Sequence, residues 1–226
     1  MGEETEVPMS TLGSKPIVTL QGHILQQQRE FPEASGDFSW ILSALSVSAK
    51  MIASNVRRAR LENVLGAAGA ENVQGEQQQK LDVIANDILL RTLGGRDGVA
   101  IVASEENEEP VILRNEAASD ERRYCVLFDP LDGSSNLDVC GSVGTIFSIL
   151  RHDRRAKDAQ ASVLQPGTEQ VAAGYVLYGP STVFVLTVGR GVDMFVLDPA
   201  VGAFMLVERG LRTPAASRSS GRRWGR

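Results

Sequence analysis

Five short β-type runs, at 143–150, 171–178, 182–188, 192–197 and 203–207, follow one another and are separated by Gly, Pro or Asp turns. That spacing commits the second half of the chain to a sheet, and a sheet needs another layer against its apolar side. Residues 39–60 supply one candidate, a helix whose apolar face runs through Trp40, Ile41, Ala44, Leu45, Ile52 and Val56, with Asp37 or Ser39 as its cap. Arg57, Arg58 and Arg60 near its end suit the helix dipole and equally suit solvent. A second helix is read over 77–91, where Leu81, Ile84, Ala85, Ile88 and Leu89 recur at helical spacing; Asp82 lies beside that stripe and Asp87 faces solvent. Residues 66–75 read as a flexible connection, and Gly94, Gly95 and Gly98 end the second helix before an apolar strand at 99–103. The expected fold class is α/β, with stacked layers of helix and mixed sheet. Tyr175, Tyr178, Phe184 and Phe195 are expected to pack, not to bind a cofactor.

Chemistry concentrates where a further apolar run, 124–128, meets Asp129-Pro130-Leu131-Asp132-Gly133-Ser134-Ser135-Asn136. Proline cannot extend a ladder, so Pro130 is expected to stop the strand and leave Asp129 at its end. Asp132-Gly133 is a turn signal that brings the second carboxylate back toward the first and presents the amides of Gly133, Ser134 and Ser135 to an anion. Two close carboxylates repel unless a proton or a cation intervenes, and a hard ion with oxygen ligands such as Mg²⁺ relieves that repulsion. Alone, Asp-Pro-x-Asp-Gly is ordinary turn composition. The strand at 99–103, however, runs directly into Ser104-Glu105-Glu106, so neighbouring strand ends would each present acids, while Glu108 and Glu109 belong to a solvated loop.

These motifs, with Gly144-Thr145-Ile146-Phe147, Lys80-Leu81-Asp82-Val83, Leu164-Gln165-Pro166-Gly167, Ala172-Ala173-Gly174-Tyr175 and Leu197-Asp198-Pro199-Ala200, resemble the main form of fructose-1,6-bisphosphatase in order and spacing over about 17–207. Inositol monophosphatases share the acidic logic but usually carry Asp-Pro-Ile-Asp-Gly-Thr, whereas this chain has Leu131 and Ser134.

The resemblance implies a layered sugar-phosphatase fold and hydrolysis of the C1 phosphate of fructose 1,6-bisphosphate with Mg²⁺, or Mn²⁺, and no organic cofactor. It implies metal ligation by Glu105, Glu106, Asp129, the Leu131 carbonyl and Asp132, and activation of water by Asp82 and Glu106, with Glu76 standing where the family usually has aspartate in a mobile loop. Asp132, Gly133, Ser134 and Ser135 correspond to contacts with the phosphate being removed. Arg123 and Tyr124 match contacts to an inhibitory nucleotide in animal members, with arginine replacing the familiar lysine; a packing role for Tyr124 is the alternative. Other sugar bisphosphates, including sedoheptulose bisphosphate, and a noncatalytic interaction fragment stay open as alternatives. Complete members resemble homo-oligomers, in particular homotetramers.

Domain organisation follows from the same comparison of residues. Residues 1–16 carry no apolar segment and read as a flexible arm, 17–207 as the family's amino-terminal unit, and 208–226 as an aberrant Arg/Ser/Gly-rich tail with six arginines. The resemblance implies that the family's carboxyl-terminal part, with its grip on the sugar and second phosphate, is missing, so that activity is impaired and apolar sheet is left exposed. A formal charge of −5 does not favour nucleic acid. Neither a secretory leader nor a membrane anchor is legible, and Cys125 and Cys140 suggest neither a disulfide framework nor a zinc site, which gives a cytoplasmic expectation with no nucleic-acid or membrane partner. Cys125 is expected inside a strand and buried; Cys140 is expected to face a loop. Both histidines, His23 and His152, lie outside the motifs, which weakens a serine-hydrolase reading.

Overall fold

The computed structural model describes residues 16–30, 36–71, 77–113 and 124–213. Helices α1 (Leu20–Glu30), α2 (Gly36–Arg58) and α3 (Lys80–Gly94) pack on one face of an eight-stranded sheet. The strands are β3 (Val99–Ser104), β4 (Val111–Ile112), β5 (Tyr124–Asp132), β6 (Val143–Arg151), β7 (Gln170–Tyr178), β8 (Thr182–Thr187), β9 (Val192–Asp198) and β10 (Ala203–Glu208), in the order β10-β9-β8-β7-β6-β5-β3-β4. From β6 to β10 each strand pairs antiparallel with the one before it, whereas β3 and β5 are parallel. A separate hairpin, β1 (Ala67–Glu71) and β2 (Gln77–Gln79), precedes α3, and the short helix α4 (Ala159–Val163) lies on the sheet's other face.

Alternation along the strands builds the core. Phe147 and Ile149, Val176 and Tyr178, Phe184 and Leu186, Phe195 and Leu197, and Phe204 all turn to the helices and are buried. Phe184 sits at the centre, its ring 5.6 Å from Phe147 and 5.3 Å from Phe204. Gly174 makes this packing possible, because a Cβ there would stand 2.5 Å from Phe147 Cζ and 2.4 Å from the Val185 carbonyl oxygen. Helix α1 is tied to the sheet by His23, whose Nε2 lies 2.9 Å from Asp193 Oδ2 and whose ring meets Phe195 edge-on. On the opposite face α4 covers a smaller cluster of Ala100, Ile101, Cys125, Leu150 and Val163. Beyond it, Ile146 and Tyr175, paired across β6 and β7, are 48% and 47% exposed and border an open trough of about 890 Å³.

Several expectations need correction. Gln77–Gln79 is a strand, not the first turn of a helix, because Asp82 Oδ2 accepts the Gln79 N–H at 2.6 Å and so sets the start of α3 at Lys80. Within the supposed connection 66–75, Ala67–Glu71 pairs with that strand. Strand β5 passes through Pro130 to Asp132: the pairing register shifts between Asp129 and Asp132, so the missing donor falls in an irregularity, and the Pro130 carbonyl accepts Thr145 Oγ1–H at 2.9 Å. Trp40, expected in the core, is 58% exposed beneath the Arg96 guanidinium, and Tyr175 faces the trough. Ser39 does not cap α2; its hydroxyl donates to Gln28 Oε1 of α1 at 3.0 Å. At the other end Glu208 completes β10, while Gly210 and Leu211, three and four residues past Val207, bond to β9; residues 214–226 and 1–15 lie outside the described residues.

Candidate metal and phosphate site

Parallel pairing of β3 with β5 sets Ser104 beside Phe128, so both strands leave the sheet at the same end. The acidic turn after β3 is fastened there by the Glu105 N–H, which donates to the Phe128 carbonyl at 3.1 Å. Helix α3 crosses nearby and brings Asp82, 4% exposed, against the second turn, where Ser134 Oγ–H donates to Asp82 Oδ2 at 3.1 Å. One cleft of about 350 Å³ results, lined by Gln79, Asp82, Glu105, Glu106, Asp129, Leu131, Asp132, Gly133, Ser134 and Ser135.

The second turn is a 3₁₀ segment, Ser134–Val139, entered through Gly133 at φ 74°. Glycine takes that left-handed conformation without strain. The first internal bond of the turn is Asn136 N–H to the Gly133 carbonyl at 2.8 Å, so the amides of Gly133, Ser134 and Ser135 come before it, in residues that line the cleft. Asp129 Oδ1 accepts the Leu131 N–H at 3.0 Å, which fixes its carboxyl at the register shift. Burial, followed by a hydrogen bond to Glu105 and the charge of that neighbour, pushes Asp129 up to about 8. Asp129 therefore favours its protonated form at neutral pH.

This donor set fits a hard cation. Only oxygen ligands line the cleft, with no sulfur or imidazole among them, and a carboxyl pushed up by burial and by its acidic neighbour is the group a divalent ion would ionise. Among the described residues no three His, Cys, Asp or Glu side chains gather closely enough to hold a metal ion, so the acids stand around the cleft instead of forming a closed cage.

Residues 18–209 match the family described as Fructose-1-6-bisphosphatase, N-terminal domain. The chain belongs to the class 1 fructose-1,6-bisphosphatase family. It is 48% identical to the class 1 enzyme of Chlorobium chlorochromatii over 200 residues, covering 88% of this chain and 59% of that protein. Over 206 residues it is 48% identical to the Chlorobium luteolum enzyme, covering 89% and 60%. Among solved structures, the holo form of Leishmania major fructose-1,6-bisphosphatase superposes with a TM-score of 0.77 at 36% identity, over 87% of this chain and 60% of that one. The chain thus spans about 60% of the length of these relatives.

Of the site residues named from sequence, Asp82, Glu105, Glu106, Asp129, Leu131, Asp132, Gly133, Ser134 and Ser135 share the cleft, whereas Glu76 and Arg123 lie outside the described residues. Tyr124 is elsewhere: it lines a separate pocket of about 240 Å³ with Gln27, Gln28, Ser39 and Arg151. There it is buried, 5.9 Å from the Phe38 ring and beneath the Arg151 guanidinium at 5.7 Å. Sequence reasoning missed Gln78, whose Nε2–H donates to Glu106 Oε2 at 2.6 Å, because those residues were assigned to a helix. It also missed Arg151, which carries no motif of its own. No helix among the described residues is long and apolar enough to cross a membrane.

Proposed function

We propose that this chain carries the chemical centre for Mg²⁺-dependent hydrolysis of the C1 phosphate of fructose 1,6-bisphosphate, giving fructose 6-phosphate and phosphate. The observation that supports this reading is the single cleft in which Asp82, four acidic-turn carboxylates and Ser134 meet. Glu105, Glu106, Asp129, the Leu131 carbonyl and Asp132 would hold the cation, with Mn²⁺ as an alternative to Mg²⁺. When bound, such an ion lowers the pKa of water and offsets charge on phosphoryl oxygens. Asp82 and Glu106 orient the attacking water and accept its proton, and Glu76 is assigned to the same task. Ser134 and Ser135, with the amides of the Gly133 turn, receive the phosphate beside Asp132. No covalent nucleophile is required: Ser134 is bonded to a carboxylate, not to an imidazole.

The test is phosphate release from purified chain with Mg²⁺ and fructose 1,6-bisphosphate, beside Asp129→Asn and a full-length class 1 relative. Turnover abolished by Asp129→Asn supports the reading, and turnover indifferent to that change defeats it. Positioning of a substrate contributes several orders of magnitude to rate, and the sugar grip is assigned to residues beyond the matched span. Turnover below that of the full-length relative is therefore expected, while metal binding without any turnover would favour the noncatalytic fragment. Competition with sedoheptulose bisphosphate and inositol phosphate decides the substrate class.

A second pocket favours a regulatory reading for Tyr124. Its aromatic ring, the Arg151 guanidinium and the polar Gln27, Gln28 and Ser39 suit a nucleoside monophosphate, and Arg123 is assigned to the same ligand. AMP binding by calorimetry that is unaffected by Arg151→Ala would leave Tyr124 a packing residue only.

A further inference from the structure

Helix α3 places Asp82 and Asn86 four residues apart, on one face. Asp82 reaches the phosphate turn through Ser134. Asn86 reaches the other half of the cleft. Its Oδ1 accepts the Ser104 hydroxyl at 2.8 Å, and its Nδ2–H donates to Asn107 Oδ1 at 2.8 Å. Ser104 Oγ in turn accepts the Glu106 N–H at 3.2 Å, and the Asn107 N–H donates to the Ser104 carbonyl at 3.2 Å. Ser104 thus donates its hydroxyl proton to Asn86 while its oxygen accepts from a backbone amide. One side chain thus grips both residues that flank Glu105-Glu106.

We infer that Asn86 is a positioning residue that holds the Glu105-Glu106 turn in the orientation from which it binds a divalent cation. This rests on the reading of the cleft as a metal site. Glu105 and Glu106 face Asp129 and Asp132 across the cleft, and like charges on a short turn splay apart unless the backbone beneath them is held. Gln78 restrains the head of Glu106, while Asn86 restrains the turn's base. Asparagine is also a poor helix former compared with alanine or leucine, since its side chain competes for backbone groups. At position 86 that local cost is offset by two bonds outside the helix. Ligand-orienting partners of this kind act through geometry, without touching the ion.

The experiment is a titration of the full chain with Mn²⁺, followed by loss of the six-line electron paramagnetic resonance signal of the free ion. Metal-free thermal unfolding is recorded for every variant. Asn86→Ala is expected to weaken Mn²⁺ binding by at least about tenfold in protein that remains folded. Asn107→Ala removes only the far arm of the clamp and is expected to weaken binding by a smaller factor. Since Asn86 and Ser104 share one bond, the double variant Asn86→Ala/Ser104→Ala should weaken binding by less than the product of the two single effects. Mn²⁺ affinity held within about twofold in folded Asn86→Ala, whatever its melting temperature, overturns the inference and identifies a stability contact only. Independent, multiplying effects in the double variant do the same. Should Asn86→Ala fail to fold, Asn107→Ala decides: unchanged affinity there overturns the clamp. An unaltered chain that leaves the Mn²⁺ signal undiminished defeats the metal reading itself, a result distinct from loss of the Asn86 effect alone.

Discussion

Asp82 Oδ2 accepts two hydrogen bonds, from the Gln79 N–H at 2.6 Å and from the Ser134 hydroxyl at 3.1 Å, the latter on a residue 52 positions away in sequence. The same carboxylate starts α3 and anchors the turn that begins at Gly133. Asp82→Ala should therefore cost about 1–3 kcal/mol in urea unfolding, through the lost cap and a stranded hydroxyl. Asp82→Asn keeps an acceptor in place and should stay folded while losing phosphate release. Retained turnover in Asp82→Asn would remove this residue from the proposed chemistry.

Stability should fall with rising pH near neutrality. Asp129 is pushed up to about 8 by burial and by Glu105, so across pH 4–8 the folded chain binds a proton that the unfolded chain has released. Its contribution is fully present below the ordinary carboxylate range and is lost as pH rises through 8. His152 works the other way: burial holds it below its ordinary 6.5, so its contribution grows with pH up to that value and is flat above it. Between pH 7 and 8 the slope belongs to Asp129, at most about 1.4 kcal/mol per pH unit. Circular dichroism melts without metal should show it, Asp129→Asn should flatten it, and Mn²⁺ should raise the midpoint most at pH 8. A slope unchanged in Asp129→Asn would place the titration elsewhere.

The two thiols should separate cleanly. Cys140 is exposed, whereas Cys125 is fully buried and burial pushes its thiol up, despite the Ser162 hydroxyl 3.6 Å away. Ellman's reagent should label one cysteine at once and the second only in denaturant; Cys140→Ser should abolish the fast phase. Two fast equivalents in native protein would contradict the packing of β5 under α4.

The face of the sheet opposite α1–α3 predicts association. Ile146, Tyr175 and Leu177 are each at least 40% exposed on neighbouring strands, and an apolar surface of this kind favours contact with another molecule. Sedimentation velocity of this chain should show concentration-dependent species that Ile146→Lys suppresses. A single monomeric boundary at all concentrations would sink this expectation.

Strands β6 to β10 were legible to within one residue because every boundary carries a turn signal and most inward positions are apolar. The hairpin before α3 was not, since Gln77, Gln78 and Gln79 have no alternation and their pairing is set by the cap at Asp82. Helix α1 was missed for a similar reason: its polar run of glutamines is held by contacts such as His23 with Asp193, which no local pattern announces. In the cleft, residues adjacent in sequence could be named from motif and resemblance. Asn86 and Gln78 act across tertiary distance and could not, although the four-residue step from Asp82 to Asn86 was there to be read.

The parallel pairing of β3 with β5 has a kinetic corollary. From β7 to β10 neighbouring strands are joined by turns of three or four residues, whereas the parallel pair β3 and β5 is joined by residues 105–123 and is expected to close later. Both acidic turns hang on that late pairing. During refolding, Mn²⁺ uptake should trail the far-ultraviolet signal of the sheet, so a chain caught part-way would look structured by spectroscopy while still blind to the ion.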